Sequence, residues 1–485
     1  MRIKRMLLTI LLIFVWMVPA GEVQAADQKH RIYEDLKLFV DGGAAKVIKT
    51  IHYEYKNNRY LSLRDLAGAL SGTAKTFELS VADTSVTITT GVEYQPAGGE
   101  NEPFVIPEDT PDYAVTTKTM RLNTITMDGQ NVRYHTFIGQ NDAGNNDCYM
   151  SLTDAAMLFD LSLTLDTQGL HLDTNGHFRM DMNALKAQGF FYEVHSALVG
   201  DATTGEIFES YEENLSVPIA STTKLMTYLC VMDAVTDGQI SLEDQVVISE
   251  NAERLSKSQD GMIPMKAGQT ATVQELLYGL LLPSSNECGV ALSEHICGSE
   301  AAFVERMNAK ALAIGLSADA VFFNSNGLPL FTDTVAATKI QNHMTANDMF
   351  LLVSHILRIY PEILTITDSV KADLPSFEMS VTNTNPMLYN LPNAVGLKTG
   401  TTSMSGACLV SAMEAEAPDG SKHYIVAIEF GAEDGTVRCT LSEELLLYGK
   451  QCLEDGVSGA MPPAPEPAGM PQDAEELIRA VIRNY

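Results

Sequence analysis

Pro218-Ile219-Ala220-Ser221-Thr222-Thr223-Lys224-Leu225-Met226-Thr227 sets a serine at the head of an apolar helix pattern, with a lysine three positions on. Backbone N–H groups point outward at a helix start, and residues three apart share a face. The Lys224 amine can therefore reach the Ser221 hydroxyl and take its proton, provided desolvation or a nearby cation lowers the amine's pKa. An ordinary capping serine with a solvated lysine gives the same pattern, and chance supplies on the order of one or two such matches in a chain of this length. The surroundings decide between the two. Sixty-three residues on, Ser284-Ser285-Asn286 lies in a turn after Leu280-Leu281-Leu282-Pro283, between two helix patterns, where a hydroxyl and a carboxamide can be aimed into a cleft. A second Ser-x-Asn, Ser249-Glu250-Asn251, lacks such a setting. A further 114 residues on, Lys398-Thr399-Gly400 follows the strand-like Val395 and Leu397. There Gly400 frees a strand edge for a substrate backbone, Thr399 offers a hydroxyl, and Lys398 suits an anion.

Outward from these motifs, the chain from 196 to 452 alternates strand and helix patterns. Ser196 to Asp201 and Glu206 to Ser210 read as strands joined by the hairpin signal Thr203-Thr204-Gly205. Helix patterns follow at 222–234, 273–282, 288–296, 301–313 and 346–359, then strands at 396–401, 408–414 and 423–430, and a helix at 441–452. Two early strands, a helical block and three late strands predict an α+β domain, with one antiparallel sheet closed by both ends of the chain segment.

The order Ser-x-x-Lys, Ser-x-Asn, Lys-Thr-Gly is that of penicillin-binding proteins and β-lactamases. With the longer contexts Ile219 to Thr227, Glu275-Leu276-Leu277-Tyr278-Gly279-Leu280, Asn324-Ser325-Asn326-Gly327-Leu328 and Gly396 to Thr402, residues 196–452 resemble the serine D-Ala-D-Ala carboxypeptidases of peptidase family S11, low-molecular-mass penicillin-binding proteins. The resemblance implies a DD-peptidase/β-lactamase-like fold and removal of the terminal D-alanine from peptidoglycan stem pentapeptides through an acyl-enzyme, with β-lactams as covalent inhibitors. It implies that Ser221 attacks, Lys224 is the base, Ser284 relays a proton under the influence of Lys398, and Asn286 holds the substrate amide. Backbone N–H groups of Ser221 and Thr401 would form the oxyanion hole, and the hydroxyls of Thr399 and Thr401 would bind the terminal carboxylate. No metal or organic cofactor is implied. A β-lactamase-like hydrolase and a non-catalytic wall-binding protein are the alternatives on this scaffold. Departures from the family pattern are Asn347 in Thr345-Ala346-Asn347-Asp348, where an arginine is common, Ser285 for glycine and Glu287 for aspartate. Many relatives carry a β-domain and an amphipathic membrane anchor after the catalytic domain, whereas residues 453–485 follow it in this sequence.

Residues 27–180 read as strand-rich and carry a weak internal repeat, Tyr60-Leu61-Ser62-Leu63-Arg64-Asp65 recurring as Tyr149-Met150-Ser151-Leu152-Thr153-Asp154. Ser62 and Ser151 can each cap a short helix. The repeat resembles the copper amine oxidase N-terminal-like domain of bacterial surface proteins. With His30, His52, His135, His171 and His177 dispersed, it implies a spacer or wall-contact module rather than a metal site. Arg2, Lys4 and Arg5, the apolar run Met6 to Val18 and Val23-Gln24-Ala25 read as a cleavable secretory signal over 1–25, with an uncleaved anchor as the alternative. The expected location is outside the cytoplasm, at the cell wall. The catalytic domain is expected over 190–455 and a linker with a short tail over 456–485, whose stretch 475–482 leaves membrane contact open. Composition agrees with a multidomain globular protein: 45% hydrophobic and 19% charged residues exclude a disordered or polytopic membrane chain. With 32 basic against 62 acidic residues, a net −30 excludes nucleic acid as a partner. Seven scattered cysteines make no disulfide framework.

Overall fold

The computed structural model describes residues 31–456 except 54–55, 83–84, 104–120, 141–143, 166, 181, 183–185, 187–193, 332–338 and 392. The expected signal segment and C-terminal tail lie outside the described residues.

The N-terminal part is built from two units of the same order. The first runs β1 (Arg31–Val40), β2 (Lys46–Tyr53), β3 (Lys56–Ser62), α1 (Leu63–Leu70), β4 (Phe77–Val81) and β5 (Val86–Thr90). The second runs β6 (Arg121–Met127), β7 (Gln130–Gln140), β8 (Asn146–Ser151), α2 (Leu152–Leu158), β9 (Ser162–Leu165) and β10 (Leu170–Asp173). One ten-stranded sheet joins them in the order β4-β5-β6-β7-β8-β3-β2-β1-β10-β9. The repeated segments meet antiparallel at its centre, Leu61 opposite Met150, and each unit's last hairpin adds to the other unit, β5 parallel to β6 and β10 parallel to β1. Phe77 of one unit stacks on Phe159 of the other, their ring centroids 4.1 Å apart. The serines of the repeat cap their helices, Ser62 Oγ accepting from Asp65 N at 3.0 Å and Ser151 Oγ from Asp154 N at 3.0 Å. Their aspartates then diverge. Asp65 is paired inside the module with the buried Lys49 at 3.1 Å, whereas Asp154 lies against the following domain, within the electrostatic reach of Glu443 and Glu444.

The second domain opens with β11 (Ser196–Asp201) and β12 (Glu206–Tyr211). The helical block is α3 (Lys224–Thr236), α4 (Glu250–Ser256), α5 (Val273–Leu281), α6 (Asn286–Cys297), α7 (Glu300–Ala313) and α8 (Ala346–Ile359). The short α9 (Met387–Asn390) leads into β13 (Ala394–Thr402), β14 (Gly406–Glu416), β15 (Lys422–Ala432) and α10 (Gly435–Asp455). The sheet order β12-β11-β15-β14-β13 is antiparallel throughout and puts both chain ends of the domain in one sheet, as expected from the strand and helix patterns. Side chains alternate across a strand. Leu198, Val410 and Ile428 therefore join the core under the helices, and Ala197, Leu409 and Ala427 join a second core under α10. Burial on both faces explains why β14 reads as an almost unbroken apolar run. The order leaves β13, the Lys-Thr-Gly strand, at an edge. Nearly all of α3 is buried, so the helix that starts with Lys224 is the axle of the domain.

The two parts share the α10 face. Arg179 pairs with Asp455, Met180 N donates to Gln451 Oε1 at 2.8 Å, and Phe178 and Met157 pack against the α10 core. All seven cysteines are unpaired.

Candidate active site

Ser221 sits in a 3-10 turn, Ala220–Thr223, that runs into α3. Ala220 has a φ of 48°, a left-handed conformation that turns the chain sharply and presents the serine. Lys224 is fully buried, and its Nζ lies 2.8 Å from Ser221 Oγ, 2.8 Å from Asn286 Oδ1 and 2.7 Å from the Asn326 carbonyl. Burial lowers the amine's pKa to about 7, opposed by the negative charge of Glu287. Asn286 is oriented by its other end, Nδ2 donating to the Asp260 carbonyl at 2.8 Å, so Oδ1 must face the amine.

With its pKa lowered to about 7, the amine can be neutral, and the geometry then orients its lone pair. A neutral amine has two N–H bonds and one lone pair. Asn286 Oδ1 and the Asn326 carbonyl can only accept, and they use both N–H bonds. The lone pair is left for the Ser221 hydroxyl, which is the arrangement of a nucleophile and its base.

The third motif closes the cluster from the sheet side. A Cβ added at Gly400 would stand 2.9 Å from Ser221 N and 3.0 Å from Ala220 Cβ, so only glycine lets β13 run this close to the serine turn. Gly327 backs the turn from behind at φ +89°, where a Cβ would meet the Ala220 carbonyl at 2.0 Å. Lys398 is fully buried, its Nζ donating to the Thr399 carbonyl at 2.9 Å, and burial with the Lys224 and Arg438 charges holds its pKa well down. Thr399 Oγ1 meets Thr384 Oγ1 at 2.5 Å, and the Thr401 hydroxyl is at the surface of the edge. Ser284 occupies the turn before α6 at φ +69°. Among the described residues no hydrogen bond joins its Oγ to Ser221 or Lys398, so the expected relay is not connected in this state. Both ends of the Asn286 amide are likewise taken, and holding a substrate amide would require exchange of the Asp260 contact.

The departures find structural explanations. Ser285 Oγ caps α6, accepting from Cys288 N at 3.2 Å. Glu287 Oε1 accepts from Met262 N at 2.9 Å and from Ile263 N, holding the loop above the cleft. Asn347 Nδ2 donates to Asn214 Oδ1 at 2.7 Å, outside the cluster. The cation beside the Lys-Thr-Gly strand is instead Arg438 of α10. Its Nη1 donates to the Gly400 carbonyl at 3.2 Å, Thr401 Oγ1 at 3.1 Å and the Cys408 carbonyl at 3.3 Å. Sequence reading missed Arg438, because it belongs to no motif and arrives only through the register of β13, β14 and β15. The second Ser-x-Asn proves to be a helix cap, Ser249 Oγ accepting from Ala252 N at 3.1 Å.

A serine within hydrogen-bond reach of a buried lysine, beside the edge strand of the sheet, is the arrangement of an acyl-transfer nucleophile and its base. The family model for D-alanyl-D-alanine carboxypeptidase, peptidase S11, matches residues 181–419. Residues 181–419 are thus similar to this family, and the match takes in just under half of the chain. It is 33% identical over 244 residues to the D-alanyl-D-alanine carboxypeptidase DacF of Bacillus subtilis, covering 50% of this chain and 58% of that protein. It is 30% identical over 265 residues to DacD of Escherichia coli, covering 53% and 64%. Among solved structures, a peptidoglycan synthesis regulatory factor, PBP3 of Streptococcus pneumoniae, aligns at 30% identity and a TM-score of 0.48, over 53% of this chain and 72% of that one. The chain thus spans under two thirds of the two curated relatives' lengths, 58% and 64%.

Proposed function

We propose that this chain is a serine D-Ala-D-Ala carboxypeptidase acting on peptidoglycan stem pentapeptides outside the cytoplasm, and that β-lactams acylate it. The observation that carries this reading is the three-way coordination of Lys224 Nζ by Ser221 Oγ, Asn286 Oδ1 and the Asn326 carbonyl, which in the neutral amine leaves the lone pair for Ser221. Substrate lies along β13 with its terminal carboxylate at the hydroxyls of Thr399 and Thr401, with the Lys398 amine and the Arg438 guanidinium beside them. Ser221 Oγ bonds to the carbonyl carbon of the penultimate D-alanine as its proton passes to Lys224. The resulting oxyanion is held by the N–H groups of Ser221 and Thr401, each such donor being worth about 10²–10³ in rate. The C–N bond then breaks. The leaving D-alanine amine takes the proton from the Lys224 ammonium, directly or through Ser284, and water later releases the acyl group from Ser221. The N-terminal module, similar to copper amine oxidase N-terminal-like domains, takes a spacer or wall-contact role.

Mass spectrometry after benzylpenicillin exposure tests the reading. A penicilloyl adduct on the wild type and none on Ser221→Ala is expected, together with D-alanine release from a pentapeptide ending in D-Ala-D-Ala. Rapid turnover of a chromogenic cephalosporin without a lasting adduct would favour a β-lactamase instead. Absence of both adduct and turnover would leave a wall-binding protein.

A further inference from the structure

The serine turn is gripped from two sides by segments far apart in the chain. On one side, the loop 323–330 supplies the Asn326 carbonyl to Lys224 Nζ at 2.7 Å. Gly327 of the same loop lies so close behind the turn that a Cβ there would stand 2.0 Å from the Ala220 carbonyl and 3.0 Å from Ser221 N. On the other side, β13 brings Gly400 against Ser221 N and continues into Thr401 and Thr402. The spacing of these two walls therefore sets where Ser221 stands between the partner of its base and the edge strand.

One side chain spans that spacing. Leu330–Phe331 and Lys339–Ile340 pair as a short antiparallel ribbon, Leu330 opposite Ile340, which turns the chain back so that Gln341 returns beside Gly327. The next residue anchors the backbone. The Asn342 carbonyl accepts from Ile219 N at 3.1 Å, and Asn342 Nδ2 donates to Thr223 Oγ1 at 3.0 Å. From this fixed point the buried Gln341 carboxamide reaches both walls. Its Nε2 donates to the Gly327 carbonyl at 2.6 Å, and its Oε1 accepts from Thr402 Oγ1 at 3.0 Å. Turning the amide over would set Oε1 against the Gly327 carbonyl, two acceptors with no proton between them. The Thr402 end is ordered as well. Its hydroxyl accepts from Ser405 N at 3.0 Å and lies 2.9 Å from Ser405 Oγ, which accepts from Thr402 N at 3.1 Å and donates to the Gly406 carbonyl at 2.9 Å. With the Ser405 proton so placed, the Thr402 proton is the one that reaches Gln341 Oε1.

We propose that Gln341 is a positioning residue for acylation: its carboxamide ties the loop 323–330 to the end of β13 and holds the Asn326 carbonyl and the Thr401 N–H at the spacing Ser221 needs. This rests on the carboxypeptidase reading and adds to it a residue outside the three motifs. Gln341 touches neither substrate nor the reacting atoms, and acts through Gly327 and Thr402. The tie needs one donor end and one acceptor end, which a carboxamide has and a carboxylate or thioether lacks. Cutting it lets the walls part, and a misplacement of about 1 Å is enough to cost on the order of 100-fold in rate.

The test uses the full chain and stopped-flow acylation by benzylpenicillin, which separates the dissociation constant of the first complex from the acylation rate constant. Gln341→Met keeps the length and bulk and loses both bonds, Thr402→Val loses the bond to β13, and Thr402→Ser keeps the hydroxyl. The rate constant is expected to fall by about tenfold or more in Gln341→Met and by about fivefold in Thr402→Val, with dissociation constants within about twofold of wild type. Thr402→Ser should acylate within about twofold of wild type. The double variant Gln341→Met/Thr402→Val should be no slower than Gln341→Met alone, because both changes cut one tie, whereas independent effects multiply. A merely structural role would lower the thermal midpoint and leave the rate constant of the folded protein unchanged. Rate constants within about twofold of wild type in both single variants, or multiplied losses in the double, overturn the inference and leave the activity standing. If Gln341→Met does not fold, the Thr402 pair decides: a slow valine variant beside a normal serine variant supports the tie, and equal rates overturn it. A wild type that forms no adduct sinks the carboxypeptidase reading itself.

Discussion

Lys224 concentrates the chemistry at the scale of single residues. Its helix position brings the amine over the serine, but its proton affinity comes from burial, which favours the neutral form. The base must be uncharged to act, so acylation should be slow at acid pH and rise through about pH 7, where the amine titrates. Stopped-flow measurement of penicillin acylation between pH 5 and 9 should show about a tenfold fall per pH unit on the acid side. A flat profile, or an inflection near 10, would contradict a buried neutral amine. Arg438 shows the complementary case. Its guanidinium reaches Thr401 from the first turn of α10, which packs on β14 and β15, and no spacing in the chain announces it.

Among the elements, the decisive contact is that of β13 with the serine turn. Gly400 is required there by proximity and Gly327 by both proximity and a left-handed backbone. A methyl group at either position must displace backbone rather than a flexible side chain. Gly400→Ala should therefore push the strand edge away from Ser221 N and slow acylation by roughly 100-fold, comparable to loss of one oxyanion donor. The thermal midpoint should drop by only a few degrees, since about 1–2 kcal/mol of strain in a domain of this size moves it by roughly 2–4 °C per kcal/mol. Acylation kinetics and calorimetry on the same sample separate the two effects. An unaltered acylation rate would show that the close approach has no catalytic consequence.

The whole molecule places the N-terminal module against α9 and α10, the elements that carry β13 and Arg438 from behind. Asp154 of α2 faces Glu443 and Glu444 of α10, with Tyr134 of β7 and Cys439 alongside. Asn390 Nδ2 donates to Glu443 Oε2 at 3.1 Å, while Glu443 Oε1 and Glu444 Oε2 are buried without partners. Burial raises Asp154 to about 6 and both glutamates well above their usual values. Acids raised in the folded state stabilise it fully below their unfolded values near 4, and that contribution is lost as pH rises through about 6. This contribution to docking should therefore be larger at pH 5 than at pH 7.5. Glu443→Gln, which removes one charge and keeps the shape, should raise the thermal midpoint at pH 7.5 by about 2–4 °C and flatten its pH dependence. Differential scanning calorimetry at pH 5 and 7.5 reads this directly. A lower midpoint at pH 7.5 in the variant would mean that the carboxylate is paired after all.

Local pattern determined the elements and their order. The helix over Ala346–Ile359 and the three closing strands follow from hydrophobic periodicity, because a helix stripe or strand face must be apolar wherever the core is. The serine–lysine pair was legible for the same reason, since three positions on a helix are a local distance. What required the tertiary structure was every contact between residues far apart in the chain. These include the Asn326 carbonyl on Lys224, Arg438 beside Thr401, and the split fate of the repeated aspartates, one neutralised by Lys49 and one turned toward two glutamates. Such pairs depend on sheet register and domain docking, which are cooperative properties of the packed chain and leave no periodic mark in any one segment.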